Sequence, residues 1–589
     1  MRTIPYGSPH RILRPVPRHS ATRPCRRSVR LTAPDYPALL RQLGDFAEIR
    51  GASLDATAWR RFAADLEHLG PPGIARFADL AKRNRLAELN IPPSLHSTLR
   101  DLVFEGPEIT ITARWAAMPW LLRRLIEFGT VNSAGAAALA RGGIVTLPDL
   151  DAALEDGRVV RDLSPLEEGL RHAVATLASE RPRLTLGRAV DLAENFVLLA
   201  AAACPEIEAL VPAGDVRRFE PLVNVIVVVG AAPDPQTTLE RICAIPMLQG
   251  AAFQTGRRAL VRSQQTEIDV RIAARDEYGS ALHIATGSAP HVAAVRARHG
   301  APRLGAREED VYSQSGLAFV PPELRHNTGE IEAAAAHALP QLVRRDDIRG
   351  DLHMHTTYSD GRDSLAAMVQ AAAALGYEYI AITDHSERAG APRTVTHDAL
   401  ARQRDDIARM RERFPAIAIL HGIEVDIMPD GRLDFDDAVL EPLDIVLASL
   451  HDSAGHDPAR LTRRCLAAIR HPLVTVITHP ANRLVGRDPG YELDFAAVYA
   501  AAAETGTALE IDGAPSHLDM DGERARGAIA AGVTVTIDSD CHKATLLDRQ
   551  MRLGVGTARR GWVEARHVLN TRPVADVRAF VAAKRQFRG

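Results

Sequence analysis

From Arg349 onward the chain alternates short apolar runs with helix-like stretches, and most of the runs end on a histidine or a carboxylate. The runs are Tyr379–Ile382, Ala418–Leu420, Ile445–Ala448, Val474–Ile477, Ala508–Ile511 and Val533–Ile537. Between them, stretches such as Leu365–Leu375 and Asp398–Phe414 carry helical periodicity. Sustained over roughly 225 residues, that rhythm predicts a parallel β/α barrel rather than separate βα pieces.

The chemistry sits at the ends of the runs. Asp351-Leu352-His353-Met354-His355 opens the region, with Asp360 close behind. Thr383-Asp384-His385, Gly422-Ile423-Glu424, Ser449-Leu450-His451, Thr478-His479-Pro480 and Asp538-Ser539-Asp540-Cys541-His542 follow later runs. Residues just past the C-terminal ends of barrel strands converge on one mouth. In His353-x-His355 and Asp540-x-His542, alternation puts both side chains on one face of an extended segment. Imidazole together with carboxylate suits zinc, manganese or iron, whereas an all-oxygen set suits magnesium. Nine such groups exceed the about four to six protein ligands that one ion takes. They fit two or three divalent ions with bridging carboxylates, an arrangement that clamps a phosphoryl group for in-line attack. Asp384, beside His385, is expected to orient a ligand. A single histidine at a strand end is ordinarily a packing group; six at equivalent topological positions are not.

The front of the chain reads differently. From Tyr36 to about Val190 the pattern is helical, as in Trp59-Phe62-Ala63-Leu66 and Leu121-Leu122-Leu125-Ile126, with breaks such as Gly70-Pro71-Pro72-Gly73. Leu222–Val229 is a β-branched run that reads as a buried strand, and Glu267–Ile272 alternates as a second one. Pro321–Asp351 reads as a hinge. The expected organisation is a tail over 1–30, helical domains over 31–105 and 106–190, a small α+β domain over 191–335, a linker over 336–345 and the barrel over 346–580.

Composition excludes several classes. A net charge of -3 rules out a uniformly basic nucleic-acid coat but averages over domains. Five scattered cysteines without a C-x-x-C pair rule out a disulfide framework and a cysteine zinc knuckle, and fit a reducing cytoplasm. No apolar run is long enough to span a membrane. Residues 1–30 hold eight arginines and no acid but no apolar core, so a secretory signal is not expected and a disordered tail is.

The ordered motifs DLHMHTTYSDG, ITDH, GIEVDI, ASLH, ITHP and DSDCH resemble those of the polymerase-and-histidinol-phosphatase (PHP) superfamily. The resemblance covers about 346–580 and implies a cyclic (β/α)7 barrel with a trinuclear metal site. By motif, the implied ligands are His353, His355, Asp360, His385, Glu424, His451, His479, Asp540 and His542. Arg483 and Arg487 fall where the family places positive residues near the phosphate, and guanidinium forks match phosphate oxygens.

Further motifs extend the resemblance forward. Ala285-Thr286-Gly287-Ser288, Val320-Pro321-Pro322-Glu323-Leu324-Arg325 and Asp347-Ile348-Arg349-Gly350-Asp351 look like the junction between polymerase and PHP parts in bacterial family X DNA polymerases. That implies helix-hairpin-helix-like and fingers-like helical domains ahead of a nucleotidyltransferase-like palm and thumb. The family's palm carries Gly-Ser, then two arginines, then an Asp-x-Asp strand. Here the matching residues are Gly214-Asp215-Val216-Arg217-Arg218 and Val225-Ile226-Val227, with a third aspartate retained as Asp269. Nucleotidyl transfer needs carboxylates to hold its cations, so the polymerase site reads as degenerate. Asp215 adds like-charge repulsion where the family has a serine. The hairpin turns also look eroded: Pro72-Gly73-Ile74-Ala75 stands at the first position, and Met118-Pro119-Trp120-Leu121 at the second, without glycine. The expected function is a metal-dependent phosphoesterase on DNA 3′ ends, with exonuclease, 3′-phosphodiesterase or 3′-phosphatase chemistry in DNA repair. The implied partner is DNA with gapped, nicked or 3′-recessed ends, bound by a monomer. A small-molecule phosphatase, a residual gap-filling polymerase and a non-catalytic DNA-end scaffold are the alternatives.

Overall fold

The computed structural model describes residues 35–157, 167–180, 183–248, 250–263, 266–298, 304–389, 391–451 and 457–587. The expected 1–30 tail lies outside them. Among the described residues no helix is long and apolar enough to cross a membrane.

The front is a helical layer. Helices Tyr36–Ile49, Ser53–Lys82, His96–Phe104, Pro107–Ala116, Trp120–Glu127, Ser133–Arg141 and Leu147–Glu155 bury Leu40, Phe46, Trp59, Phe62, Leu99 and Leu122 in one cluster. Both expected hairpin positions lie where one helix gives way to the next. Pro72–Ala75 opens the second of two helical segments that meet at Gly70, whose φ +61° and ψ -155° break the helix and beside which Pro71 and Pro72 suit a helix start. Met118–Leu121 spans the short break between Pro107–Ala116 and Trp120–Glu127, with Trp120 beginning the second helix. A further turn, with a glycine, falls at Phe128–Asn132, where Gly129 takes φ +71° and the Asn132 side chain accepts the Gly135 N–H.

A five-stranded sheet follows, built of β1 (Ala209–Ala213), β2 (Ile226–Ala231), β3 (Ala251–Gln254), β4 (Arg258–Ser263) and β5 (Thr266–Ala273) in the order β1-β2-β5-β4-β3. Strand alternation splits the valine run between two cores. Val225, Val227 and Val229 face the helical layer, while Ile226 and Val228 face helix α1 (Leu186–Ala203). Helix α1 therefore belongs with this sheet and crosses the boundary expected at 190.

The barrel strands are β6 (Gly350–Asp351), β7 (Tyr379–Ile382), β8 (Ala418–Asp426), β9 (Ile445–Ser449), β10 (Val476–Ile477), β11 (Ala508–Asp512) and β12 (Val535–Asp538). All are parallel and adjacent in chain order. The ring is drawn together by a parallel bridge between Met354 and Cys541 and by the Leu352 N–H donating to Asp538. Helix α2 (Leu547–Arg560) covers β12 and also meets the palm. The expected hinge is ordered: Val343 is buried in the barrel core and its N–H donates to the Val563 carbonyl.

Candidate metal centre

The nine motif residues leave the C-terminal ends of β6 to β10 and β12 and meet at one mouth. Three sets have ligand atoms close enough to share a cation: His355, Asp360, His385 and His542; His353, His355 and Asp540; and His385, Glu424 and His451. Glu424 is the hub. Its Oε2 lies 2.7 Å from His385 Nδ1 and 3.5 Å from His353 Nε2. Its Oε1 lies 2.9 Å from His479 Nε2 and 3.6 Å from His451 Nε2. Asp540 Oδ1 sits 3.1 Å from His355 Nε2, and Asp360 Oδ1 3.2 Å from His542 Nε2. The rings of His385, His355 and His542 stack in series at 4.3 Å spacings.

These donors fit cations better than one another. His353 Nε2 and His355 Nε2 face each other at 3.1 Å. The buried atoms His355 Nδ1 and His479 Nδ1 lack hydrogen-bond partners within the protein, and Asp360 Oδ1, His385 Nδ1 and Glu424 Oε2 meet only neighbouring donor-set atoms, at angles unsuited to a hydrogen bond. An unmatched buried polar atom is costly, and a convergent nitrogen and oxygen set of this kind suits divalent metal. Backbone strain marks the same place: His479 and Asp540 take φ +24° and +46°.

The cluster's charges are strongly coupled. Burial opposes ionisation throughout, yet His353 first among the neighbours holds Asp540 well below the usual carboxylate range. The His385, His353 and His451 rings do the same for Glu424. His355 goes the other way, pushed down to about 3 by burial and by His385 and His542.

Several supporting residues were missing from the sequence reading. Glu510 in β11 accepts from His353 Nδ1 at 2.7 Å and from the His479 backbone N–H at 2.7 Å. Asp426 lies 3.0 Å from His451 Nδ1, and Thr478 donates to Glu424. A carboxylate on the second ring nitrogen fixes the tautomer and aim of a ligating histidine. A glutamate inside the apolar run Ala508–Ile511 was the signal for the first of these.

Three expected catalytic residues are elsewhere. Asp384 is fully buried and accepts from Thr356, Ser359 and Gln403, so it ties down the loop leading to Asp360 rather than reaching the mouth. Arg483 donates to the carbonyls of His517 and Leu518 and to Asp521. Arg487 is exposed, and neither arginine lines the cavity. Positive φ at Asn482 turns the chain so that Asn482, not Arg483, faces the mouth. The cavity holds about 320 Å³ and is lined by Asp360, His385, Ala391, His451, His479, Asn482, His517, Asp540 and His542.

The palm residues form a different kind of site. Val225 and Val227 are buried against the helical layer, and Val227 pairs in register with Asp269. Arg258 donates to both oxygens of Asp269 at 2.8 Å and to Asp149 at 2.8 Å, while Arg271 adds a second fork to Asp269. Gly214 keeps φ +57° at the turn that follows β1. Arg218 is bound to Asp215 and the Thr286 carbonyl, and Arg217 to Thr286 and Glu308. Asp215 is therefore neutralised internally. The carboxylates a nucleotidyl-transfer metal pair would need do not fit here.

Residues 351–478 match the PHP domain family. The DNA polymerase/3′-5′ exonuclease PolX of Bacillus subtilis (strain 168) is 29% identical over 575 residues, 93% of this chain and 99% of that one. A probable phosphatase of Caldanaerobacter subterraneus subsp. tengcongensis is 32% identical over 204 residues, 33% of this chain and 75% of that one. The crystal structure of histidinol phosphate phosphatase from Lactococcus lactis is similar at 19% identity over 36% of this chain and 93% of that one, with a TM-score of 0.28. The chain belongs to the PHP family, in the branch that joins a PHP barrel to a family X DNA polymerase body.

Proposed function

We propose that this protein hydrolyses phosphate esters at DNA 3′ ends, using two or three manganese, zinc or iron ions in the barrel, and that its polymerase chemistry is lost. The observation that carries the reading is the convergence of six histidines and three carboxylates on one mouth, with Glu424 among five imidazoles. The DNA substrate, with gapped, nicked or 3′-recessed ends, rests on the Bacillus relative, whose name includes a 3′-5′ exonuclease and whose length this chain matches almost throughout. A DNA-repair role and a cytoplasmic location follow from that substrate.

Bound divalent cations would neutralise the phosphoryl oxygens and activate water. The chain's own residues prepare for this. His353, His355 and Asp540 would hold one ion, His385, Glu424 and His451 a second, and Asp360 with His542 a third. Glu510 and Asp426 hold two of the imidazoles in aim. Among the described residues no arginine or lysine lines the cavity, so developing charge would be left to bound cations and to neutral donors of the chain. In the palm, Val225 and Val227 supply no ligand, and Arg258 claims the one aspartate left.

The test is purified protein with manganese and deoxynucleotides on a 3′-recessed duplex, a 3′-phosphorylated end and a small phosphomonoester. Nucleotide or phosphate release from DNA, abolished by His353→Ala and by Asp540→Asn, is expected. Primer extension would overturn the loss of polymerase activity. Turnover of the small ester alone would move the substrate away from DNA.

A further inference from the structure

Of the nine residues lining the cavity, six belong to the ligand set and Ala391 is apolar. The two remaining polar side chains are Asn482 and His517. Asn482 is already committed, since its Nδ2 donates to the Tyr491 hydroxyl. The His517 ring stacks on His479 at 5.7 Å and 26° yet belongs to none of the three ligand sets. Its buried Nδ1 lacks a hydrogen-bond partner within the protein.

The loop that carries it is held from two sides. On the barrel side, Arg483 grips the carbonyls of His517 and Leu518, and Val485 N–H donates to the Ser516 carbonyl. Leu518 takes φ +45°, a conformation a leucine keeps only when its surroundings impose it. Those surroundings are the palm. Leu518, Val485 and Leu553 are buried in the palm's own hydrophobic cluster, with Leu186, Val190, Phe196 and Val223. Gly187 of α1 lies directly against Pro515, so close that a Cβ there would come within 2.5 Å of the proline Cβ. Arg549 locks the same contact by donating to the Gly187 carbonyl and to Asp191.

We propose that His517 is a substrate-contacting residue of the phosphoester site, donating a ring N–H to a phosphoryl oxygen, and that the palm sets its position through the Pro515–Leu518 loop. The inference rests on the phosphoesterase reading above. It gives the palm a role in hydrolysis that survives the loss of its own carboxylates: one wall of the active cavity is built against it.

The experiment uses the full chain loaded with manganese and a small chromogenic diester, bis(p-nitrophenyl) phosphate, which bypasses DNA binding. His517→Ala is expected to lower kcat/KM by about a hundredfold to a thousandfold, the range for one lost donor to reacting charge, with manganese content unchanged. His517→Gln, which keeps an N–H donor, recovers part of the loss. Gly187→Ala, in the palm and far in sequence from every ligand, lowers kcat/KM about severalfold by pushing on Pro515. The double variant is no worse than His517→Ala alone if the palm acts through His517. Unchanged kcat/KM in His517→Ala, or loss of manganese from it, overturns the substrate role. Additive effects in the double variant overturn the palm coupling. A wild-type protein inert towards both the diester and DNA ends overturns the phosphoesterase reading itself.

Discussion

At the scale of the residue, the barrel mouth is decided by which polar atoms have partners. Glu424 is fully buried among imidazoles, which its carboxylate tolerates only because charge surrounds it. Glu510 acts one step back, where its two oxygens aim His353 and hold the His479 backbone. Glu510→Gln keeps the shape but loses the charge-assisted contact, and is expected to reduce hydrolysis about tenfold to a hundredfold. Measuring manganese affinity beside turnover separates a misaimed ligand from a misfolded one. The cations also tie function to stability. Manganese at a hundredfold its dissociation constant adds about 2.7 kcal/mol to unfolding, which thermal melts with and without chelator would register. An unchanged melt would mean that the donor set does not bind the ion.

At the scale of the element, β2 and β5 bring valines and one aspartate together under the helical layer. Two adjacent positions that face the helical layer are valines, and the register partner of Val227 is Asp269. Burial alone would raise the Asp269 carboxyl, but Arg258 first and Arg271 second hold it down at about 2. A depressed carboxyl contributes stability above its unfolded value near 4 that is lost as pH falls through about 2. Arg258→Ala should cost about 3 kcal/mol at neutral pH, the low end for a broken buried pair because Arg271 remains. The deficit should narrow as pH falls below about 4, because without Arg258 the Asp269 carboxyl is less depressed and less stability is lost when it is protonated. Urea titrations across that range test both statements.

At the scale of the whole molecule, the palm and the barrel share a core. Leu553 on α2 is 2% exposed and sits in the palm cluster although its helix covers β12. Leu553→Ala is expected to cost about 2–5 kcal/mol, the range for a buried leucine. Amide exchange should rise both in Leu186–Ala203 and in the Pro515–Leu518 loop, and protection lost on one side alone would argue against a shared unit. The barrel, six of its seven strands and the nine metal-site candidates were legible from the chain, because a strand end is a local event: an apolar run stops, and a ligand follows it; the short Gly350–Asp351 strand carries no apolar run. The valines at 225 and 227 were legible for the same reason. What the chain did not disclose depends on long-range approach. Arg483 and Arg487 matched a local pattern, yet a turn at Asn482 carries Arg483 towards carbonyls contributed by β11's loop. Arg258 closes over Asp269 from a neighbouring strand, and the turn at Phe128–Asn132 has too little glycine to stand out. His517 gave no signal because its neighbours in the fold, His479 and the palm's α1, are remote in sequence. Local periodicity determined the elements and the ligand-bearing ends; only the closed ring and the shared core decided which side chains meet, because burial and register are properties of the packed chain.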